Sequence, residues 1–205
     1  MEPEKLLEIL RTAGRLKTTK RHCWTEEGRA ESVADHSWRI TLLAMLLADE
    51  EAFQDTDMNK VIRMCLIHDL GEAFTGDIPT FEKTGGDEKT EEALYHSWVE
   101  GFPEAQRSAW TELLREMEAL ETKEAKTYKA LDKLEALISH NESDIRTWLP
   151  LEYDLQLTYG KENVKFSPYL QKLREAIDVW TLTKIREEGP KAEGGTSGEE
   201  PGDPQ

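Results

Sequence analysis

Apolar residues recur at the three- and four-residue spacing of an amphipathic α-helix along most of this chain. In the first such segment the repeat falls on Leu6, Ile9, Leu10 and Ala13, and Gly14 follows it. Nowhere do apolar and polar residues alternate strongly enough to indicate a sheet. The pattern therefore predicts an all-α fold, and 205 residues are enough to bury one sizeable core in a single domain.

Capping residues, glycines and prolines divide this pattern into separate helices. Ser32 with Asp35 three residues later is a variant of the capping box, and Thr122 and Pro168 mark the starts of two later helices. The polar stretch 18–30 shows no period and is predicted to be a loop. Helices are expected at about residues 6–13, 33–51, 57–75, 88–100, 104–119, 123–141, 150–159 and 168–187.

The last part of the chain differs in composition from the rest. Residues 188–205 consist mainly of Gly, Pro, Glu, Ser and Asp and contain almost no apolar side chains. Such a segment buries too little surface to offset the entropy lost on ordering. We therefore expect a folded domain over residues 1–187 and a disordered acidic tail over residues 188–205.

The charge of the chain limits its partners. A formal net charge of −16 repels nucleic-acid polymers, whose binding requires Lys and Arg to neutralise phosphates. A small anionic substrate is still compatible with it, because a metal ion and one or two basic side chains reverse the field locally. Apolar stretches too short for a membrane span, the lack of a secretory signal and only two cysteines predict a cytoplasmic protein that binds no membrane.

Metal-ligand residue types are concentrated around one dipeptide, His68-Asp69, which lies in an apolar context with Glu72 close behind. On one continuous helix these three side chains would share a face. Burying them unpaired would cost several kcal/mol, and a metal ion removes that cost. His36 on the preceding helix and Asp132 on a much later one supply two further ligands. Two His and two Asp suit Mn, Fe, Co, Ni or Zn, and suit Mg less well.

The ordered set of His36, His68-Asp69 and Asp132 resembles the H…HD…D signature of the HD-domain metal-dependent phosphohydrolases. The likeness extends to longer segments that resemble the 5′-deoxynucleotidase branch of that family and together cover roughly residues 15–140. These segments are RHCW at 21–24, ESVADHS at 31–37, HDLGE at 68–72, TGDIPT at 75–80 and LDKLE at 131–135.

The resemblance implies a helical bundle, often dimeric, that removes the 5′-phosphate from deoxynucleoside monophosphates. It further implies one divalent transition metal, a small nucleotide as substrate and a homodimer as assembly. The metal ligands that it implies in this chain are His36, His68, Asp69 and Asp132.

Other roles also follow from the resemblance rather than from spacing. Arg21 would hold the substrate phosphate, for which a planar, bidentate cation is well suited. Glu72 would orient or deprotonate the attacking water, and Asp77 would contact the sugar or protonate the departing 5′-oxygen. Trp24 would pack against the sugar or the base. The position of Glu118 relative to the site is left open, because the spacing around it does not align with the family pattern.

Two alternatives remain at this point. One is an HD phosphohydrolase that acts on another nucleotide, such as a triphosphate, a cyclic nucleotide or an alarmone. The other is a non-catalytic HD module that binds a nucleotide or a protein; a missing ligand would be its signature, and none is missing here. His22, His96 and His140 show no ligand spacing to the main set and are interpreted as surface or packing residues.

Overall fold

The computed structural model describes residues 1–190, and most of them are helical. Its strands are β1 (Lys20–Trp24) and β2 (Ala30–Ser32), and short 3₁₀ turns lie at Gly14–Lys17, Glu51–Phe53 and Ile145–Thr147. The α-helices of this part are α1 (Pro3–Ala13), α2 (Val33–Leu47), α3 (Met58–Ile67), α4 (Glu72–Thr75), α5 (Gly85–Glu100), α6 (Glu104–Ala119), α7 (Lys123–Glu142), α8 (Pro150–Thr158) and α9 (Pro168–Glu188). The all-α prediction is confirmed.

The helix starts follow the local capping signals. Ser32 Oγ accepts a hydrogen bond from the Asp35 amide at 3.2 Å, and the Asp35 carboxylate accepts one from the Ser32 amide at 2.8 Å. This reciprocal pair closes the capping box and starts α2. Thr122 caps α7 by accepting from the Ala125 amide at 3.1 Å. The predicted starts at these residues are therefore correct, because each depends on contacts only three residues apart.

The prediction of a loop over residues 18–30 is wrong for residues 20–24 and for Ala30, which lie in strands. β1 and β2 pair antiparallel, with Lys20 opposite Ser32 and Trp24 opposite Ala30. Two strands of five and three residues are too short to show a two-residue period in the sequence. The buried side chain of Cys23 fixes the hairpin against the helices, so it is tertiary packing that stabilises the pairing.

The prediction of one continuous helix that carries His68, Asp69 and Glu72 is also wrong. α3 ends at Ile67, tight turns follow, and α4 begins at Glu72. The His68 ring donates from Nδ1 to the Cys65 carbonyl at 2.8 Å. A continuing α-helix would use that carbonyl to accept from the Asp69 amide. The side chain therefore competes with the backbone at the point where the helix ends.

Helices α2, α3 and α7 pack against one another at the centre of the fold. Their facing side chains form the core and are almost completely excluded from solvent. They include Val33, Ile40, Ala44, Val61, Met64, Cys65, Leu131, Leu134 and Leu137. Helices α6 and α9 cover α7 from outside. Because His36 lies on α2, His68 follows α3 and Asp132 lies on α7, this packing brings all three to one end of the core.

Gly160, just after α8, allows a close approach to α7. Its φ is +74°, and a Cβ atom there would lie 2.8 Å from the Lys133 Cβ. Only glycine meets both conditions without strain.

Residues 191–205, most of the predicted tail, lie outside the described residues, and α9 ends at Glu188. Within residues 1–190, no helix has the length and apolar content that crossing a membrane requires.

Candidate metal centre and substrate pocket

Four predicted ligands converge at the end of the core. His36 Nε2 lies 3.3 Å from His68 Nε2, 3.8 Å from Asp69 Oδ2 and 3.3 Å from Asp132 Oδ1. His68 Nε2 lies 3.0 Å from Asp69 Oδ2 and 3.8 Å from Asp132 Oδ1. A cation held at roughly 2.1 Å by nitrogen and oxygen ligands separates those atoms by roughly 3–3.5 Å. The pairs at 3.0 and 3.3 Å therefore fit a shared cation. His36, His68 and Asp69 form a group whose ligand atoms all lie within 4.8 Å of one another, and Asp132 Oδ1 lies beside the two imidazoles.

The hydrogen bonds behind the two imidazoles orient them for metal binding. His68 Nδ1 faces the Cys65 carbonyl, and His36 Nδ1 contacts the Glu135 carboxylate. Both partners accept hydrogen bonds only, so each Nδ1 carries the proton and each Nε2 directs a lone pair at the other. Two lone pairs and two carboxylate oxygens this close together repel one another unless a cation or a proton lies between them. Without a cation, burial and Arg21 lower the pKa of His36, but Glu135 and Asp132 outweigh them and raise it to about 9.

Basic side chains surround the carboxylate of Asp132. Its Oδ2 lies 3.1 Å from Lys129 Nζ and 3.4 Å from Lys133 Nζ. Burial favours the protonated acid, but the two ammonium groups hold the pKa of Asp132 well below its ordinary value. Burial likewise disfavours the charged form of Asp69, whose pKa His68 nevertheless keeps low. Both carboxylates are therefore ionised near neutral pH, as metal ligands must be.

Glu72 is a buried carboxyl group beside the cluster, and one of its oxygens has no hydrogen-bond partner. Burial, followed by the charges of Asp69 and Asp77, raises its pKa to about 11. The pKa of Asp77 is also raised, mainly by burial, although the Arg21 charge opposes the shift. Two carboxyl groups that bind protons readily therefore lie next to the predicted metal ligands.

A network of charged side chains lies behind His36, on the side of the ring away from the ligand cluster. Glu135 accepts a hydrogen bond from Ser139 Oγ at 2.9 Å, and it forms ion pairs with Arg39 Nε at 3.0 Å and with Arg21 Nη1 at 3.7 Å. Arg21 also donates to Glu31 Oε2 at 2.7 Å. Burial opposes the charge of Arg21, but the surrounding carboxylates, with Glu31 first, raise its pKa further above its ordinary value. One carboxylate, Glu135, therefore contacts both the predicted phosphate-binding arginine and a predicted metal ligand.

A cavity of about 190 Å³ opens beside these residues. Of the predicted site residues, Arg21, Asp69, Glu72, Asp77 and Asp132 line it. His36 is fully buried, and the side chain of His68 is nearly so. The structure thus brings Arg21, the predicted ligands Asp69 and Asp132 and both predicted catalytic carboxyl groups to one pocket, with His36 and His68 buried beside it.

Two predicted residues lie elsewhere. Trp24, at the end of β1, is 39% exposed and does not line the cavity; its contact with sugar or base stays a prediction. Glu118, whose position relative to the site the sequence left open, lies outside the pocket: it pairs with His96 at 2.6 Å on the surface and does not line the cavity.

Several pocket and support residues were missed at the level of sequence. Glu135 and Ser139 lie three and seven residues after Asp132, which is the spacing of one helix face and could have indicated them. His22 and His140 were interpreted as surface or packing residues, yet both line the cavity. They lack local spacing to the metal ligands because they reach the pocket from β1 and from the far end of α7.

Comparisons with known proteins agree with this geometry. A family model described as HD domain matches residues 13–174. The chain is 33% identical to 5′-deoxynucleotidase HDDC2 of Homo sapiens over 185 residues, which cover 88% of each chain. It is also 33% identical to 5′-deoxynucleotidase YGK1 of Saccharomyces cerevisiae over 197 residues, covering 90% of this chain and 84% of that protein.

A solved structure is similar over nearly the whole fold. The predicted metal-dependent phosphohydrolase of Magnetospirillum magnetotacticum MS-1 superimposes with a TM-score of 0.73 at 28% identity, over 87% of this chain and 94% of that chain. The family model spans both the bundle and the ligand cluster. From these matches and from the ordered ligand set, the chain belongs to the HD-domain family.

Proposed function

We propose that this protein is a metal-dependent phosphomonoesterase that hydrolyses the 5′-phosphate of deoxynucleoside monophosphates. The observation that carries the proposal is the convergence of two imidazole nitrogens and two carboxylate oxygens beside a pocket that also contains Arg21. The relatives named 5′-deoxynucleotidase support the substrate class.

His36, His68, Asp69 and Asp132 are the proposed ligands of one divalent transition metal. A mixed set of nitrogen and oxygen ligands suits Co, Mn, Ni, Fe or Zn, whereas Mg prefers oxygen ligands with several waters. When bound, such an ion polarises the phosphoryl group and lowers the pKa of a coordinated water.

The side chains around the pocket have separate roles in the proposed reaction. Arg21 binds the phosphate oxygens through its planar guanidinium group. The hydrogen bond from Arg21 to Glu31 holds that group in a fixed direction. Glu72 orients the water that attacks phosphorus, and it accepts the proton of that water where a bound cation offsets the Asp69 charge that helps to raise the Glu72 pKa. The bond between phosphorus and the 5′-oxygen breaks, and Asp77 donates a proton to that oxygen. The raised pKa of Asp77 supports its role as the acid.

Metal depletion and replacement test this proposal. The protein is dialysed against a chelator, and Co, Mn, Ni, Zn or Mg is added back before phosphate release is measured. The substrate panel contains deoxy- and ribonucleoside monophosphates, triphosphates and cyclic nucleotides. We expect release from deoxynucleoside monophosphates that returns with a transition metal. No release with any metal would refute the enzymatic proposal, and faster hydrolysis of another nucleotide would favour the alternative substrate classes.

A matched pair of variants tests the ligand assignment. Asp69→Ala should abolish both metal retention and turnover, because it removes a proposed ligand. Asp55→Ala is the control, since Asp55 pairs with Lys123 on the surface. Metal retained by Asp69→Ala at the wild-type stoichiometry would contradict the assignment.

We also propose a homodimer formed through α2. Its outer face carries Trp38, Leu42, Met45 and Leu46, and the first and last of these are 62% and 68% exposed. Exposed apolar residues that are neighbours on one helix face offer a surface that a second copy of the chain can cover. Light scattering should give twice the chain mass for the wild type and a monomer for Leu46→Lys. A monomeric wild type would refute this assembly.

A cytoplasmic location and the absence of nucleic-acid polymer partners are proposed on composition alone. The net charge of −16 supports the second proposal. Retention of the protein on immobilised duplex DNA at physiological salt would contradict it, and fractionation of cells tests the first.

A further inference from the structure

The pocket continues beyond the metal centre along α7. Asp132, Ala136 and His140 lie on successive turns of that helix, and all three line the cavity. His140 lies eight residues after Asp132, and at 1.5 Å per residue the two ends of the cavity that they mark are roughly 12 Å apart. The phosphate chemistry accounts for the end at Asp132 and leaves the end at His140 without a role.

A second cluster of titratable side chains occupies the far end. Glu152, on α8, is only 1% exposed, yet it lines the cavity. Its Oε1 lies 2.9 Å from His140 Nε2 and 3.3 Å from His22 Nε2. Its other oxygen accepts from the Leu149 amide at 2.6 Å, which caps α8.

The ionisation of Glu152 determines which ring nitrogens of His22 and His140 carry a proton. Burial raises the pKa of Glu152, but the hydrogen bonds from His140 and the Leu149 amide outweigh burial and lower it overall. An ionised carboxylate only accepts hydrogen bonds, so His140 and His22 turn their Nε2–H groups towards it. In the tautomer with its proton on Nε2, His22 has Nδ1 as an acceptor, and its side chain is 33% exposed.

The walls at this end suit a flat ring. The Phe81 ring meets the His22 ring edge-on, with centroids 5.5 Å apart. Leu155 also lines this cavity, and Ala136 has a side chain too small to block it. Aromatic and aliphatic surfaces with a few fixed polar groups are typical of sites that bind heterocyclic ligands.

The charges along the pocket define a direction for the substrate. Arg21, Lys129 and Lys133 line the part near Asp132, where a bound cation would offset the carboxylates of the proposed metal site. At the other end an anionic carboxylate lies behind the two imidazoles. A nucleoside monophosphate has a matching polarity, with an anionic phosphate at one end and a neutral, hydrogen-bonding base at the other. The reverse orientation would place the phosphate against Glu152.

We propose that His22, His140 and Glu152 form the subsite for the nucleobase of a nucleoside monophosphate, about two helical turns from the metal centre. This proposal rests on the proposed function, because that function places the phosphate at the other end. His22 and the Phe81 ring contact the base, and Glu152 holds both imidazoles in the tautomer that meets it.

Two substrates that differ only in the base provide the test. We compare kcat/KM for deoxyadenosine 5′-monophosphate with kcat/KM for deoxyribose 5-phosphate, which has no base. The variants are His22→Ala, at a partly exposed position, and Glu152→Gln, which keeps an acceptor for the Leu149 amide. The control is His96→Asn, which removes one member of the surface pair with Glu118.

In the wild type we expect the nucleotide to be the better substrate. In both variants the ratio of the two kcat/KM values should fall about three- to tenfold, the effect of losing one ordinary hydrogen bond. The control should keep the wild-type ratio. A ratio that does not change, or an equal loss on both substrates, would overturn the proposal.

A binding measurement separates this inference from the proposed function. If the wild type releases phosphate from neither substrate, the proposed function fails, and imidazole ¹⁵N resonances still report binding. Deoxyadenosine 5′-monophosphate should then shift the His22 and His140 resonances but not those of His96, and deoxyribose 5-phosphate should shift neither. Unchanged His22 and His140 resonances would refute the base subsite.

Discussion

Replacing Glu135 with glutamine should weaken metal binding although Glu135 is not itself a proposed ligand. The carboxylate is 1% exposed and contacts His36 Nδ1, Arg39 Nε at 3.0 Å and Ser139 Oγ at 2.9 Å. Glutamine has nearly the same shape, but one of its two terminal groups donates. It therefore cannot accept on both sides at once, and either His36 or the pair Arg39 and Ser139 loses its acceptor.

The size of the effect follows from the role of Glu135 behind a ligand. Loss of a partner that orients a metal-binding histidine typically reduces metal affinity by about 10- to 100-fold. This corresponds to about 1.4–2.7 kcal/mol, since each tenfold change is about 1.4 kcal/mol. The folded state should also lose about 1.5–3 kcal/mol, the usual contribution of a hydrogen bond to a charged group. A higher KM should accompany these losses, because Arg21 lies 3.7 Å from the same carboxylate.

Calorimetric titration of chelator-treated protein with Mn²⁺ measures the affinity, and urea unfolding of the same preparation measures the stability. Glu135→Asp keeps the charge and should recover part of the affinity. Glu142→Gln is the control, because Glu142 lies on the same helix and also pairs with Arg39, but at the surface. If Glu135→Gln binds Mn²⁺ as tightly as the wild type while its stability falls, the carboxylate does not orient His36.

Three further predictions concern stability, each measured by urea unfolding. Because the folded-state pKa of Glu152 is lowered, its contribution is present above the ordinary carboxyl pKa and is lost as the pH falls. The unfolding free energy of the wild type should therefore drop more than that of Glu152→Gln between about pH 6 and about pH 3; parallel curves would contradict this. Gly160→Ala should cost about 1–2 kcal/mol, because φ is +74° and the new Cβ would meet Lys133; a neutral effect would show that the turn adapts. Leu131→Ala should cost about 2–5 kcal/mol at a fully buried position, whereas Leu182→Ala, which is 53% exposed, should change stability by less than about 0.5 kcal/mol; similar losses in both would contradict the assigned core.

The parts of the fold predicted correctly are those with short-range causes. Ser32 and Asp35 close a capping box across three residues, and Thr122 caps α7 over the same distance. Such contacts form within one helical turn, so residue types alone indicate them. The order of His36, His68-Asp69 and Asp132 was likewise readable in the chain, and it identified the candidate ligands together with their family.

The errors arise where a distant group competes with the local pattern. The helical period continues past Ile67, but the His68 ring donates to the Cys65 carbonyl and the helix ends there. The hairpin of β1 and β2 has too few residues to show a period, and it is stabilised by packing of Cys23 against the bundle. Both outcomes depend on neighbours that the local sequence does not contain.

The sequence by itself therefore determined the helical architecture, the starts of α2, α7 and α9 and the residue types available for a metal site. Only the tertiary structure decided what surrounds those residues. Glu135 contacts His36, which is 99 positions away in the chain, and the separation in sequence between Glu152 and His22 is longer still. Contacts of this kind leave no periodic trace, because helix packing and not spacing along the chain brings the groups together. The electrostatics of the pocket, and hence its proposed phosphate and base ends, follow from that packing.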